Sequence, residues 1–125
     1  RKLVLNFNPK ADTSGCTMEA KDFSKRASAF SRAETAILGV SADPVPKLDK
    51  FKAKYDLSIP LASDETHEML TAYGVWAKKS MWGRSYMGIL RNTYLIGPDG
   101  RIARVWEKVK VAGHGEEVLA AAKDL

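Results

Sequence analysis

Two short apolar runs, Leu3-Val4-Leu5-Asn6-Phe7 and Thr35-Ala36-Ile37-Leu38-Gly39-Val40-Ser41, stand on either side of one amphipathic stretch. Each run has the length and content of a buried strand. Between them, from Cys16 to about Arg32, the residues Ala20, Phe23, Ala27 and Phe30 recur at spacings of three and four. That is one apolar stripe on a helix, with Glu19, Lys21, Asp22, Lys25 and Arg26 largely on its other sides. Strand, helix, strand makes a crossover unit, which sets two strands parallel in one sheet with the helix on its face. No other feature narrows the possible folds as much.

The rest of the chain extends this order. Asp43-Pro44-Val45-Pro46 opens a helix whose core face is Leu48, Phe51 and Tyr55. Ile59-Pro60-Leu61-Ala62 is a brief extended piece, and Ser63-Asp64-Glu65 caps a short helix through Met69, Leu70 and Tyr73 that Gly74 closes. Residues 75–90, dense in Trp, Met, Tyr and Gly, read as a loop. Asn92-Thr93-Tyr94-Leu95-Ile96 and Ile102-Ala103-Arg104-Val105-Trp106 flank Pro98-Asp99-Gly100, a hairpin turn signal that adds antiparallel strands. A last helix, about Gly115 to Lys123, buries Val118, Leu119 and Ala122. The order β-α-β-α, a short insert, then β-β-α is an α/β, thioredoxin-like order. The 125 residues form one domain, 1–125, long enough to bury a core without disulfides.

Charge and composition exclude several classes of function. The net charge is +5, with 11 basic against 7 acidic residues in positions 1–60 and 9 against 8 in 61–125. The excess therefore leans toward the first half, but no basic run interleaved with aromatics accompanies it. It reads as a solvated face rather than a nucleic-acid surface. No apolar stretch approaches the roughly 20 residues of a membrane span. Leu3-Val4-Leu5 is too short for a signal-peptide core. One cysteine cannot form an internal disulfide, so an oxidising compartment is not needed. A single cysteine with His67, which reads as facing solvent on a short helix, and His114 far apart in sequence gives no metal site, and no cofactor motif is present.

That cysteine, Cys16, lies in Asn8-Pro9-Lys10-Ala11-Asp12-Thr13-Ser14-Gly15-Cys16-Thr17-Met18-Glu19, where the first strand hands over to the helix. A thiol at a helix N-terminus meets unpaired backbone N–H groups and the positive end of the helix dipole, both of which favour the thiolate. A lone cysteine is otherwise an inert small hydrophobe, but this one sits in a polar loop rather than an apolar run. Disulfide exchange of the C-x-x-C kind is excluded, because positions 13 and 19 hold Thr and Glu.

Pro9, Thr13 and Cys16 form P-x-x-x-T-x-x-C, the active-site signature of peroxiredoxins. The stretch Gly15-Cys16-Thr17-Met18-Glu19-Ala20 resembles the bacterioferritin comigratory protein, or peroxiredoxin Q, group. The resemblance continues through Val75-Trp76, Trp82 to Ile89, Arg91 to Ile102 and Gly113-His114. It implies a thiol peroxidase of thioredoxin fold in which Cys16 attacks a peroxide oxygen and becomes a sulfenic acid. It implies that Arg91 lies beside the sulfur, that Thr13 offers its hydroxyl to peroxide, and that Pro9 shields the sulfur and shapes the pocket. The backbone N–H groups of Gly15 and Cys16 would bind oxygen, and Glu19 would orient the arginine. Taken singly, Glu19 also reads as a first-turn acid, Thr13 as an ST-turn and Pro9 as a loop former. Trp82, Tyr86 and Met87 line the active-site mouth or a partner surface, or else fill their own loop.

Two departures from the group stand out. Its resolving cysteine commonly follows the peroxidatic one by five residues, where this chain has Lys21, and no second cysteine occurs in the 125 residues. The implied cycle therefore uses an external thiol: glutathione, glutaredoxin or thioredoxin. The group also carries an N-terminal segment with a β-hairpin ahead of the first strand here, so the chain reads as a fragment or as a minimal core. A redox-sensing or interaction module without efficient turnover is the alternative reading, and rapid oxidation with turnover separates the two. The resemblance further implies a cytoplasmic protein, or an organelle form that has lost its transit peptide, monomeric or weakly dimeric, with no nucleic-acid or membrane partner.

Overall fold

The computed structural model describes residues 1–125. In chain order the elements are β1 (Lys2–Phe7), α1 (Ser14–Lys25), α2 (Ala27–Arg32), β2 (Thr35–Ser41), α3 (Val45–Lys54) and β3 (Leu61–Ser63). They continue with α4 (Glu68–Ala72), β4 (Trp76–Met81), β5 (Arg84–Ile89), β6 (Thr93–Ile96), β7 (Ile102–Trp106) and α5 (His114–Asp124). Five strands form one sheet in the order β3-β2-β1-β6-β7. The crossover expected from the first two apolar runs is present: β1 and β2 pair in parallel from Lys2↔Thr35 to Phe7↔Val40. The hairpin expected around Pro98-Asp99-Gly100 joins β6 to β7, and β6 runs antiparallel to β1 with Asn6 opposite Thr93.

Alternation along the central strands supplies two cores, one on each face of the sheet. Val4, Ile37 and Leu95 pack with Phe23 and Phe30 of α1 and α2 and with Val118, Leu119 and Ala122 of α5. Leu5, Phe7, Val40 and Tyr94 point the other way, onto Leu70 of α4 and onto Val75 and Ile89. A third cluster joins Ala11 and Ala20 to Leu48 and Phe51 of α3 and to Leu57. The loop that leads into Cys16 is thereby fixed, through Ala11, against α1 and α3. No helix is long and apolar enough to cross a membrane.

Four local expectations need correction. Residues 75–90 are not a loop: β4 and β5 form a separate antiparallel ribbon in register from Trp76↔Ile89 to Met81↔Arg84. The stripe from Cys16 to Arg32 is two helices, broken at Arg26. The Ser58 hydroxyl donates to the Ser24 carbonyl at 3.1 Å, and the break brings the Phe23 and Phe30 rings to 5.7 Å. On a straight helix, residues seven apart are separated by roughly 10 Å along the axis. The short helix begins at Glu68 rather than after Ser63, with His67 in a left-handed conformation ahead of it, while the Asp64 carboxylate accepts from the Leu70 N–H at 2.9 Å. His67 stacks on Trp76 at 3.9 Å between ring centroids, so it is half-buried instead of facing solvent.

Candidate active site

The segment between β1 and α1 is clamped at two points. The Asp43 carboxylate at the end of β2 accepts from the Ala11 N–H at 2.7 Å and from the Ser41 hydroxyl at 2.9 Å. On the outer side, Asp12 accepts from the Tyr55 hydroxyl at 2.7 Å and pairs with Lys54 at 2.9 Å. Thr13 is the N-cap residue of α1, and its carbonyl accepts from the Thr17 N–H at 2.9 Å. Ser14, Gly15 and Cys16 therefore occupy the first turn, where N–H groups have no carbonyl partner within the helix. Cys16 is 1% exposed.

Arg91 reaches this turn because of the sheet order. Asn6 of β1 lies opposite Thr93 of β6, so the residues just before β6 lie beside those just after β1. The Arg91 carbonyl accepts from the Val109 N–H at 2.8 Å, which holds its backbone. From there the guanidinium makes two contacts: Nη2 donates to Cys16 Sγ at 3.3 Å and Nη1 to Glu19 Oε1 at 3.4 Å. One planar fork thus spans a sulfur and a carboxylate that sit three residues apart on α1.

Glu19 is 2% exposed, and its second carboxylate oxygen has no partner. Burial pushes its carboxyl up to about 7, against the pull of the Arg91 charge. Near neutral pH the group is therefore divided between carboxyl and carboxylate, and Arg91 is not fully neutralised by it. Thr13 is exposed; its hydroxyl donates to the Lys10 carbonyl at 2.8 Å and touches neither Arg91 nor Glu19 by hydrogen bond. Pro9 is half-buried and lines a cleft of about 430 Å³ together with Lys10, Pro44, Trp76, Lys79 and Tyr86. Arg91 thus touches both Cys16 and Glu19, while Thr13 lies on the surface and Pro9 lines the neighbouring cleft.

Sequence reasoning missed three residues here. Gly15 had been singled out only for its N–H, yet a methyl there would stand 3.0 Å from Arg91 Nη2, so the missing side chain lets the guanidinium approach. Lys79 enters the cleft from β4, with its ammonium pushed below the usual lysine range by burial and by the charge of Arg91. Its place depends on the ribbon register, which a stretch read as a loop does not reveal. Asn8 shares a second, small cavity with Cys16, and no motif marks it.

Known proteins resemble the chain along nearly its whole length. Residues 1–105 match the family model described as AhpC/TSA family. The chain is 45% identical over 121 residues to Peroxiredoxin Bcp of Xanthomonas campestris pv. campestris, covering 97% of this chain and 76% of that protein. It is 43% identical over 123 residues to Peroxiredoxin Bcp of Bacillus subtilis, covering 98% and 78%. A solved structure of Xanthomonas campestris Peroxiredoxin Q superposes with a TM-score of 0.94 at 44% identity, covering 99% of this chain and 78% of that one. A mutant of Xylella fastidiosa PrxQ gives 0.95 at 40%, covering 99% and 77%. Peroxiredoxin 6 of Arenicola marina, at 18% identity and a TM-score of 0.83, shares the fold alone. The architecture is the thioredoxin fold of the peroxiredoxins. With a buried cysteine at the first helix and relatives of this closeness along nearly its whole length, the chain belongs to the AhpC/TSA family, among the peroxiredoxins of the Bcp or Q group, which are thiol peroxidases.

Proposed function

We propose that Cys16 is the peroxidatic cysteine and that an external thiol completes the cycle. The Cys16 thiolate attacks the terminal oxygen of a hydroperoxide, the O–O bond breaks, and the departing alkoxide or hydroxide takes up a proton. Sulfur is oxidised by two electrons to the sulfenic acid. The observation that carries this reading is the Arg91 Nη2 to Cys16 Sγ contact of 3.3 Å at an N-terminal helix turn. A fixed cation there faces the negative charge that grows on the peroxide oxygens. The first-turn N–H groups of Gly15 and Cys16 supply further donors.

Thr13 acts as an acceptor in this scheme. Its hydroxyl proton is given to Lys10, so its lone pairs are available to the O–H of a hydroperoxide. Pro9 limits water at the mouth, and Glu19 holds the far side of the Arg91 fork. Because Cys16 is the one cysteine of these 125 residues, the sulfenic acid is resolved by a thiol from outside them. That thiol forms a mixed disulfide with release of water, and a second thiol returns Cys16 to its reduced state. Glutathione, glutaredoxin and thioredoxin are the donors to compare.

Rapid mixing of the reduced protein with hydrogen peroxide, followed by trapping of the sulfenic acid, tests the first step. Oxidation of Cys16 no faster than that of a small free thiol overturns it. Turnover assays with each of the three donors test the second, and fast oxidation with no donor supporting turnover overturns the external-thiol cycle.

A further inference from the structure

Cys16 and Asn8 share a slot of about 10 Å³ whose other walls include Gly39, Val40, Leu48 and Phe51. A space of that size holds about one oxygen atom or one water. Its lining is apolar but for Asn8, Ser41 and Cys16 itself. Ser41 is already committed, since its hydroxyl donates to Asp43 and accepts from the Asp43 N–H at 3.2 Å. Asn8 is not: its Oδ1 is buried and has no hydrogen-bond partner. An amide oxygen left in this way costs about 1–3 kcal/mol and favours any donor that reaches it.

The backbone of Asn8 is held by β2. The Asn8 N–H donates to the Val40 carbonyl at 2.8 Å, which continues the β1–β2 pairing. Its side-chain nitrogen lies 3.3 Å from the point where a Cβ on Gly39 would stand, so the glycine gives the amide room to lie flat against β2. The side chain therefore lines the same slot as Cys16 with its acceptor oxygen left open.

We infer that this slot receives the oxygen of the Cys16 sulfenic acid, with the S–O–H group donating to Asn8 Oδ1, and so protects Cys16 from further oxidation. The inference rests on the proposal that Cys16 forms a sulfenic acid. Overoxidation proceeds when the sulfenate anion, S–O⁻, attacks a second hydrogen peroxide and yields a sulfinate and water. A carbonyl oxygen accepts from the protonated form and repels the anion. Holding the oxygen at Asn8 therefore disfavours the species that reacts further. A chain whose resolving thiol arrives by diffusion needs such an intermediate to persist. Asn8 is on this view a positioning residue, acting after the first chemical step.

The test oxidises the protein with one equivalent of hydrogen peroxide, counts the sulfenic acid formed, and then adds excess peroxide. Mass spectrometry reads the sulfinic acid per sulfenic acid. Asn8→Leu, which keeps the volume and removes the acceptor, is expected to overoxidise about fivefold faster than the parent, the value of one net hydrogen bond. Asn8→Asp keeps an acceptor and adds a negative charge that disfavours the sulfenate, so it is expected to match or exceed the parent in resistance. A purely structural role for Asn8 predicts the reverse ranking, because a buried carboxylate disrupts packing more than leucine does. Equal sensitivity of Asn8→Leu and the parent overturns the inference, as does Asn8→Asp overoxidising like Asn8→Leu. Should Asn8→Leu fail to fold, Asn8→Ala supplies the same comparison. Failure of the parent to form any sulfenic acid overturns the assignment of Cys16 instead, so the two outcomes are distinct.

Discussion

Arg91 is the cation that donates to Cys16 Sγ, and its guanidinium is only 17% exposed. Removing one preorganised donor from a developing charge costs on the order of 10²–10³ in rate. Arg91→Ala is accordingly expected to slow the attack on hydrogen peroxide by roughly that factor, read by rapid-mixing kinetics under single-turnover conditions; a rate within twofold of the parent would show that the guanidinium does not assist the step. Gly15→Ala separates activity from stability at the same place. Alanine favours the helix by up to about 1 kcal/mol over glycine, but its methyl would stand 3.0 Å from Arg91 Nη2 and must displace it. A melting temperature equal to or above the parent, with peroxide attack slowed about tenfold, is the expected pair of results, roughly the loss of 1.4 kcal/mol of transition-state stabilisation. At this scale the site was legible where chemistry is written locally. Cys16, Thr13 and Pro9 share one short segment, and Arg91 was implied by resemblance. The places of Asn8 and Lys79 beside the candidate site were not legible, because only strand register sets their neighbours.

Elements were readable where the hydrophobic period was clean and hidden where tertiary contacts decide. β2 and the β6–β7 hairpin carry their signals in their own residues, a β-branched apolar run and a Pro-Asp-Gly turn. The division of α1 from α2 carries none, since no glycine or proline marks Arg26, and the Ser58 hydroxyl that meets the Ser24 carbonyl there is distant in sequence. The β4–β5 ribbon was hidden by its turn. Trp82 and Gly83 join the strands as a two-residue loop with both φ angles positive, 56° and 74°. A hairpin of this type calls for Asn or Asp at the first position, and tryptophan there is conformationally costly. Trp82 is 93% exposed, so no buried contact offsets that cost. Trp82→Asn is therefore expected to stabilise the ribbon by about 0.5–1 kcal/mol, seen as slower amide exchange in β4 and β5. Faster exchange would mean that the indole holds the ribbon through contacts outside the turn.

For the molecule as a whole, two buried titrating groups shape stability against pH in opposite directions. The Glu19 carboxyl is raised from an ordinary 4.5 to about 7 by burial, in spite of Arg91. The folded state thus binds more protons than the unfolded one between those values, so this contribution is complete below about 4.5 and is lost as pH rises through about 7. His114, 4% exposed and in contact with the Thr93 hydroxyl at 2.8 Å, has its imidazolium disfavoured first by burial. There the unfolded state binds more protons, so its contribution is present above the ordinary histidine value of 6.5 and is lost as pH falls below it. The two slopes oppose one another around pH 5–7, and a flat optimum in that region is expected. Glu19→Gln removes the first slope and leaves the second. Its stability relative to the parent should be near zero at pH 4.5 and rise to a gain of roughly 2–3 kcal/mol at pH 8, measured as urea midpoints across the range. A gain that is the same at both pH values would place the effect in packing. A loss at pH 8 would mean that the charged carboxylate with Arg91 outweighs its own desolvation, and would reverse the sign argued for this buried pair.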